Sequence, residues 1–287
     1  MIIVKLSGGL GNQLFQYALG RHLAVLNQTV LKLDTSLLDT PHDWTYRTYE
    51  LDSFNIQATK AIKQEINQLT GELGFLPRSV GQLFRNRSSN YFKEPHFHFY
   101  SPVLSLQNDV YLDGYWQSEK YFEAIADLIR EDLTPIALLS KHVETLKHSI
   151  HQCTSVSMHI RRGDYITTSR ANRYLKPCEV GYYHKAVDCL VKRIVNPAFF
   201  IFSDDIEWAK ANVQLDFPTQ YVAGNSAPED LLLMASCQHQ IIVSSTFSWW
   251  GAWLNRHPDK IIIAPQKWFS TERFDTKDLL PETWIRL

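Results

Sequence analysis

The residues in this chain best suited to chemistry fall into four short clusters. One is Met158-His159-Ile160-Arg161-Arg162-Gly163-Asp164-Tyr165, at the end of an apolar run that reads as a strand. In open α/β sheets, ligands bind outside the carboxyl ends of the strands. A guanidinium there can grip diphosphate oxygens bidentately, and it stays charged at any working pH, so it can stabilise a leaving group without a metal. Strand alternation sends His159 and Arg161 to one side and Arg162 to the other, unless the strand has already ended. One arginine can then face a ligand while its neighbour anchors the loop. Asp164 could accept a proton or simply orient the arginines. The same residues are also compatible with an exposed turn whose arginines are neutralised by Asp164.

The other three clusters stand at equivalent places. Gly8-Gly9-Leu10-Gly11-Asn12-Gln13 is a glycine turn between a strand and a helix, where backbone amides and the helix dipole can receive an anion. The amide side chains of Asn12 and Gln13 can hydrogen-bond phosphate or sugar hydroxyls. Leu14 breaks a dinucleotide fingerprint that starts from Gly9, and the turn lacks the lysine of a P-loop. A tight structural turn is the competing reading. Phe202-Ser203-Asp204-Asp205 ends another apolar strand. Its carboxylates could bind a divalent metal, accept from the N1 and N2 donors of guanine, or cap the helix that begins near Glu207. In Ser244-Ser245-Thr246-Phe247-Ser248-Trp249-Trp250-Gly251-Ala252-Trp253, hydroxyls at a strand end suit phosphate, whereas the crowded indoles suit a core. Asp-x-Asp, a metal-diphosphate signature, occurs nowhere. His96-Phe97-His98 puts two imidazoles on one face of a presumed strand, but nothing with ligand spacing joins them to hold zinc. Asp34 reads as a turn cap.

These clusters need elements to hold them. Ile2–Leu6 reads as a strand, Leu14 to Leu26 as a helix and Val30–Leu33 as a second strand. From Asp34 to about Ser105 aromatics and prolines interrupt the pattern, apart from a helix near 60–69. Val110–Tyr115 reads as a strand, and Glu119–Leu133 and Ala137–Ile150 read as helices. Beyond these, strands Val156–Ile160, Phe199–Phe202, Thr219–Val222, Gln240–Val243 and Lys260–Ile263 alternate with helices Tyr182–Val195, Ile206–Val213, Glu229–Cys237 and Trp249–Leu254. A capping box from Ser226 to Glu229 opens the third of these helices. That alternation predicts parallel strands with crossover helices in a doubly wound α/β domain. A polar stretch before Val156 sets the expected division at 1–152 and 153–287.

Composition narrows the function classes. A chain of 287 residues, 45% hydrophobic and 21% charged, builds a full-sized core. A formal net charge of −1 without like-charge blocks leaves no footprint for nucleic acid or for an anionic membrane. The four cysteines are scattered, as expected of a reducing cytoplasm. The N-terminal apolar run reaches Gly8-Gly9 too soon for a signal peptide, and no other run approaches membrane-spanning length. A cytoplasmic protein is expected, with peripheral contact at the inner face of a membrane left open.

Taken in order, GGLGNQLFQYA, HIRRGDY, IFSDDIEW and SSTFSWWGAWLN resemble glycosyltransferase family 11, the α-1,2-fucosyltransferases. The His-x-Arg-Arg run is shared with the wider α-1,2-, α-1,6- and protein O-fucosyltransferase group, and Phe-Ser-Trp-Trp narrows the match. Leu14 stands where methionine is common in the family, a swap that conserves volume. The resemblance implies a GT-B-like fold, with two Rossmann-like α/β domains facing a cleft. It further implies an inverting, metal-independent transfer of L-fucose from GDP-β-L-fucose to a galactose-containing glycan, usually on the galactose 2-hydroxyl, with no other cofactor. Carried over residue by residue, Arg161 is the principal β-phosphate ligand, supported by Arg162, and His159 supports nucleotide binding. Asp204 or Asp205 holds guanine, and Ser245, Thr246, Phe247 and Ser248 line the diphosphate pocket. Gly9, Gly11, Asn12 and Gln13 face the reaction centre from the first domain, and Asp164 is the candidate base. Two rival readings are a non-catalytic sugar-binding protein, suggested by eight tryptophans and thirteen tyrosines, and a nicotinamide oxidoreductase.

Overall fold

The computed structural model describes residues 1–38, 47–71, 90–163, 166 and 174–287. Two compact units divide it, one of Met1–Ile136 with Phe274–Leu279 and the other of Ala137–Arg273 with Leu280–Leu287. The division falls earlier than the sequence suggests. Helix Lys141–His151 belongs to the second unit because Val143, Leu146 and Ile150 pack onto Phe200, Phe202 and Val222.

The first unit is built on a parallel sheet of β1 (Ile2–Lys5), β2 (Leu31–Asp34), β3 (Thr59–Lys60), β4 (Tyr91–Lys93) and β5 (Val110–Asp113), in the order β3-β2-β1-β5-β4. β1 lies at its centre with Ile2, Ile3 and Val4 fully buried, as a parallel strand covered on both faces requires. Helix α1 (Leu10–Leu26) packs so closely that a Cβ on Gly20 would sit 2.4 Å from Val4 Cγ2 and 2.7 Å from Leu31 Cδ1. Helix α2 (Lys63–Thr70) follows β3, and Glu65 accepts from the Ile62 N–H at 3.0 Å. The helix expected over Glu119–Leu133 is instead two 3-10 turns, Glu119–Tyr121 and Glu123–Ile125, followed by α3 (Ala126–Asp132). Tyr121 and Phe122 are both fully buried. The backbone breaks from helix at Phe122, with φ −144°. His96 and His98 do not lie on a strand. Their rings stack with centroids 3.6 Å apart, and His96 Nδ1 is 3.0 Å from the His98 carbonyl.

In the second unit α4 (Lys141–His151) leads into a six-stranded parallel sheet. Its strands are β6 (Thr154–Ile160), β7 (Pro197–Ser203), β8 (Thr219–Val222), β9 (His239–Ile241), β10 (Ile262–Ala264) and β11 (Ile285–Arg286), ordered β11-β10-β9-β6-β7-β8. Helices α5 (Val180–Val191), α6 (Ile206–Asn212), α7 (Ala227–Ser236) and α8 (Thr246–Leu254) make the crossovers. The doubly wound arrangement read from the alternation is present, as is the Ser226–Glu229 capping box at the start of α7. The indoles of α8 are core: Trp249, Trp250 and Trp253 are buried, with Trp249 and Trp250 meeting edge-on at 5.3 Å. Among the described residues no helix is long and apolar enough to cross a membrane.

The tight approach at Gly20 predicts that Gly20→Ala destabilises the protein by about 1–3 kcal/mol through overpacking. Gly181→Ala on α5, where a Cβ meets nothing within 4 Å, should leave stability unchanged or raise it. Chemical denaturation of the two variants checks this contrast.

Candidate functional site

In the second sheet the chain runs outward from β6 to β7 and β8, then returns to place β9 on the other side of β6. The strand order therefore reverses at β6, and the crevice outside its carboxyl end is the position an α/β sheet offers a ligand. β6 ends at Ile160, so Arg161 and Arg162 lie just beyond it and escape strict alternation. The parallel register pairs His159 with Phe202 and Ile160 with Ser203, which brings Asp204 and Asp205 alongside the two arginines. Arg161 Nη1 lies 3.1 Å from Asp204 Oδ2, and the Arg162 N–H donates to Asp204 Oδ1 at 2.9 Å. Arg162 Nε donates to Asp205 Oδ2 at 3.2 Å while its guanidinium stacks 3.7 Å above the Trp208 ring. Asp205 also caps α6, its Oδ1 accepting from the Trp208 N–H at 3.2 Å. A Cβ on Gly163 would come within 2.6 Å of Asp204 Oδ2, so glycine is what lets the carboxylate approach.

The pairing refines the expected roles. Arg162 is the loop anchor, held by a carboxylate and an indole. Asp204 and Asp205, one of which was expected to hold guanine, have oxygens turned to the arginines. Trp208 closes the IFSDDIEW run, but no role for its side chain was read from the sequence. Asp164 lies outside the described residues. His159 is 4% exposed, its ring is tilted against Phe247 at 5.6 Å, and its buried Nδ1 has no hydrogen-bond partner. Burial, and secondarily the Arg161 charge, push its pKa down to about 3, so the imidazole is neutral at any ordinary pH.

Next to β6, the chain leaves β9 and enters α8 through Ser244 and Ser245. Thr246 and Phe247 are half-buried at the helix start. Ser248 is fully buried, with its hydroxyl turned to the Ser245 carbonyl at 3.2 Å, which removes it from any pocket lining. Ser245 is 7% exposed and forms the N-cap without a side-chain bond.

The first sheet repeats the logic. Its order reverses between β1 and β5, and the glycine turn leaves β1 at that point. Gly8 takes φ +79°, and a Cβ there would collide with Asn12 Nδ2 at 2.3 Å. Asn12 is half-buried, and its Oδ1 accepts from Gln117 Nε2 at 3.0 Å. Gln13, expected to meet a ligand, is fully buried and ties the turn to the segment after it. Its Nε2 donates to the Gly8 and Thr48 carbonyls at 3.0 and 2.8 Å, and its Oε1 accepts from the Glu50 N–H at 3.1 Å. Gly11 is buried as well. The anion at the start of α1 is the protein's own: the Glu50 carboxylate accepts from the Leu10 N–H, and burial raises its pKa above the ordinary value. A Cβ on Gly9 would lie 3.7 Å from the Arg47 guanidinium. Arg47 and Glu50 lie in the aperiodic stretch, where no spacing marks them. Among the described residues no group of three or more histidines, cysteines or carboxylates could hold a metal ion.

A family model described as Glycosyl transferase family 11 matches residues 1–287. The chain belongs to glycosyl transferase family 11. An alpha-1,2-colitosyltransferase of Escherichia coli is 34% identical to this transferase over 294 residues, spanning 100% of this chain and 99% of that one. The O-antigen biosynthesis glycosyltransferase WbnK of Escherichia coli is 35% identical over 309 residues, covering 98% and 99%. A galactoside 2-alpha-L-fucosyltransferase of Caenorhabditis elegans is 26% identical over 313 residues, covering 100% of this chain and 79% of that protein. Among solved structures, NodZ alpha-1,6-fucosyltransferase soaked with GDP-fucose matches with a TM-score of 0.50 at 15% identity, over 88% of this chain and 92% of that one. At that identity the likeness is one of fold, the GT-B type, to which the two parallel-sheet units conform. The family 11 protein is a glycosyltransferase that uses a nucleotide sugar, which sets aside the lectin and oxidoreductase readings.

The depressed His159 pKa carries a stability consequence for the transferase. Between the ordinary value of 6.5 and about 3 the unfolded chain binds a proton that the native state refuses, so this contribution to stability is lost as pH falls through that window. His159→Gln should flatten the dependence of unfolding free energy on pH over that range. An unchanged slope in the variant would show that His159 is not the responsible group.

Proposed function

We propose that this transferase moves L-fucose from GDP-β-L-fucose to a hydroxyl of a galactose-containing glycan, the 2-hydroxyl of a terminal galactose giving an α-1,2 linkage. The anomeric centre inverts and no metal takes part. The observation that carries this reading is the Arg161–Asp204 and Arg162–Asp205 pairing at the switch point of the second sheet. As the acceptor oxygen attacks the anomeric carbon from the face opposite GDP, the sugar gains oxocarbenium character and charge accumulates on the diphosphate. A guanidinium held in place by a carboxylate is a preorganised donor for that charge. Its five N–H groups allow it to serve a carboxylate and a phosphate together. Arg162 holds the loop, and the unpartnered Nδ1 of the neutral His159 suits a polar group of the nucleotide. Asn12, at the switch point of the first sheet, suits the acceptor side.

The full-length likeness to an alpha-1,2-colitosyltransferase favours a second donor, GDP-colitose. Colitose is the 3-deoxy counterpart of L-fucose, so the chemistry at the anomeric carbon is common to both. The difference rests on one hydroxyl, which a site built to bond it can use to reject the analogue lacking it.

Incubation with GDP-fucose or GDP-colitose and a panel of galactosides, with linkage analysis of the product, tests the donor, acceptor and regiochemistry. Preferential transfer from GDP-fucose, undiminished by chelator, is expected. Transfer from GDP-colitose alone, or loss of activity with chelator, contradicts the corresponding part. Arg161→Ala should lower kcat by about 10²–10³. Arg161→Lys should also be poor, because a point charge cannot reproduce the fork. Near-normal turnover of Arg161→Ala would remove the leaving-group role.

A further inference from the structure

The start of α5 borders the crevice at the switch point of the second sheet, and one of its side chains has a hydrogen bond left to make. Two bonds tie this segment to the connection from β9 into α8. The Cys178 sulfur accepts from the Ser244 N–H, and the Tyr182 hydroxyl donates to the Ile242 carbonyl at 2.5 Å. Tyr183, the next residue, enters the core that holds Ile160, the last residue of β6, and Val243, just beyond β9. It is fully buried, yet its hydroxyl has no hydrogen-bond partner among the described residues. A buried phenolic hydroxyl ordinarily finds one, because leaving it unpaired forfeits the bonds it made to water. The hydroxyl also lies within electrostatic reach of Cys178, Arg162 and Asp204. Asp204 is the carboxylate that meets Arg161 Nη1 at 3.1 Å and accepts from the Arg162 N–H at 2.9 Å. The unmade bond of Tyr183 therefore stands beside the same carboxylate that sets the two arginines. Of the two adjacent tyrosines, the protein satisfies one and leaves the other, at the ligand edge of the sheet, unsatisfied.

We propose that Tyr183 is a further binding residue for the diphosphate of the donor, its hydroxyl donating to a phosphate oxygen beside the Arg161 fork. The proposal rests on the nucleotide-sugar reading of this site given above. A diphosphate gripped by Arg161 lies next to Asp204, where the Tyr183 hydroxyl stands. That hydroxyl is closed to solvent, so its bond forms as the site takes up its ligand. Phosphate oxygens offer acceptors only, and Asp204 and Asp205 already draw on the two guanidinium groups. A phenol adds a donor without adding a charge that would need a counter-ion. Burial above all, then the Cys178 charge, raises the Tyr183 pKa, opposed by Arg162 and assisted by Asp204. The hydroxyl therefore keeps its proton at any working pH and stays a donor. Hydrogen bonds to a charged group are the stronger kind, so one such contact has a measurable share in nucleotide affinity.

The test compares wild type with Tyr183→Phe, which keeps the packed ring and removes only the hydroxyl. Calorimetric titration with GDP and chemical denaturation without ligand are measured on both. Because the hydroxyl bonds nothing in the protein, the denaturation midpoint of the variant should equal or exceed that of the wild type. Its affinity for GDP should fall by about 10–100-fold. A tyrosine serving only the core would give the opposite pair of results. If the wild type binds another nucleoside diphosphate in place of GDP, the donor assignment fails, and the comparison is made with that nucleotide. If the variant does not fold, a crystal structure of the wild type with GDP decides, with Tyr183 Oη expected within about 3.2 Å of a phosphate oxygen. GDP affinity of Tyr183→Phe within twofold of wild type, a lowered denaturation midpoint, or an Oη bonded in the GDP complex only to ribose, guanine, protein or water would each overturn the assignment.

Discussion

Most of the second unit's site depends on one constraint, the parallel register of β6 against β7. Because Ile160 faces Ser203, the two residues beyond each strand form two arginine–carboxylate pairs side by side. Neither guanidinium stands half-buried without a counter-charge, a situation that is costly even away from a deep interior. A slip of one residue would leave one of the arginines opposite Ser203 or Ile206 in place of a carboxylate and turn every side chain of β6 to the opposite face. The sheet's core, centred on Val156, Met158, Ile160, Phe199 and Ile201, fixes that register. The packing that stabilises the unit is thus also what aims its charges.

Both units put their polar residues at the same topological place, the reversal of strand order beside a central strand. They fill it differently. In the second unit two arginines stand at the crevice, each paired with a carboxylate. In the first, carboxylates and amides dominate: Glu94, Asp113, Asn12 and Gln117, with the start of α1 already satisfied by Glu50. The proposed division between a donor and an acceptor unit draws on that difference.

Much of the fold was legible because buried parallel strands and their crossover helices leave long apolar runs in the sequence. The β6 to β9 region followed that pattern, and the Ser226–Glu229 box and the Asp205 cap are local enough to read from spacing. The aperiodic segment from Asp34 to Ser105 was not legible, because β3 and β4 are only two and three residues long and are recruited by neighbouring strands. Glu50 and Glu94 lie there, and neither has a local partner that would mark it: Glu50 reaches the start of α1, Glu94 the turn after β5. Gln13 and Ser248 misled for a related reason. An amide or a hydroxyl at a helix start serves a ligand or its own backbone equally well, and only burial decides which. The pairing of Arg162 with Trp208 likewise depends on the β6–β7 register, not on sequence proximity.

The central claim is that Arg161, set by Asp204, holds the β-phosphate of the donor nucleotide. Calorimetric titration with GDP and GMP measures that phosphate directly, since the two ligands differ by nothing else. Wild type should bind GDP at least tenfold more tightly than GMP, and in Arg161→Ala the two affinities should converge while GMP binding is retained. Equal affinity for GDP and GMP in the wild type, or an undiminished preference for GDP in Arg161→Ala, would contradict the account.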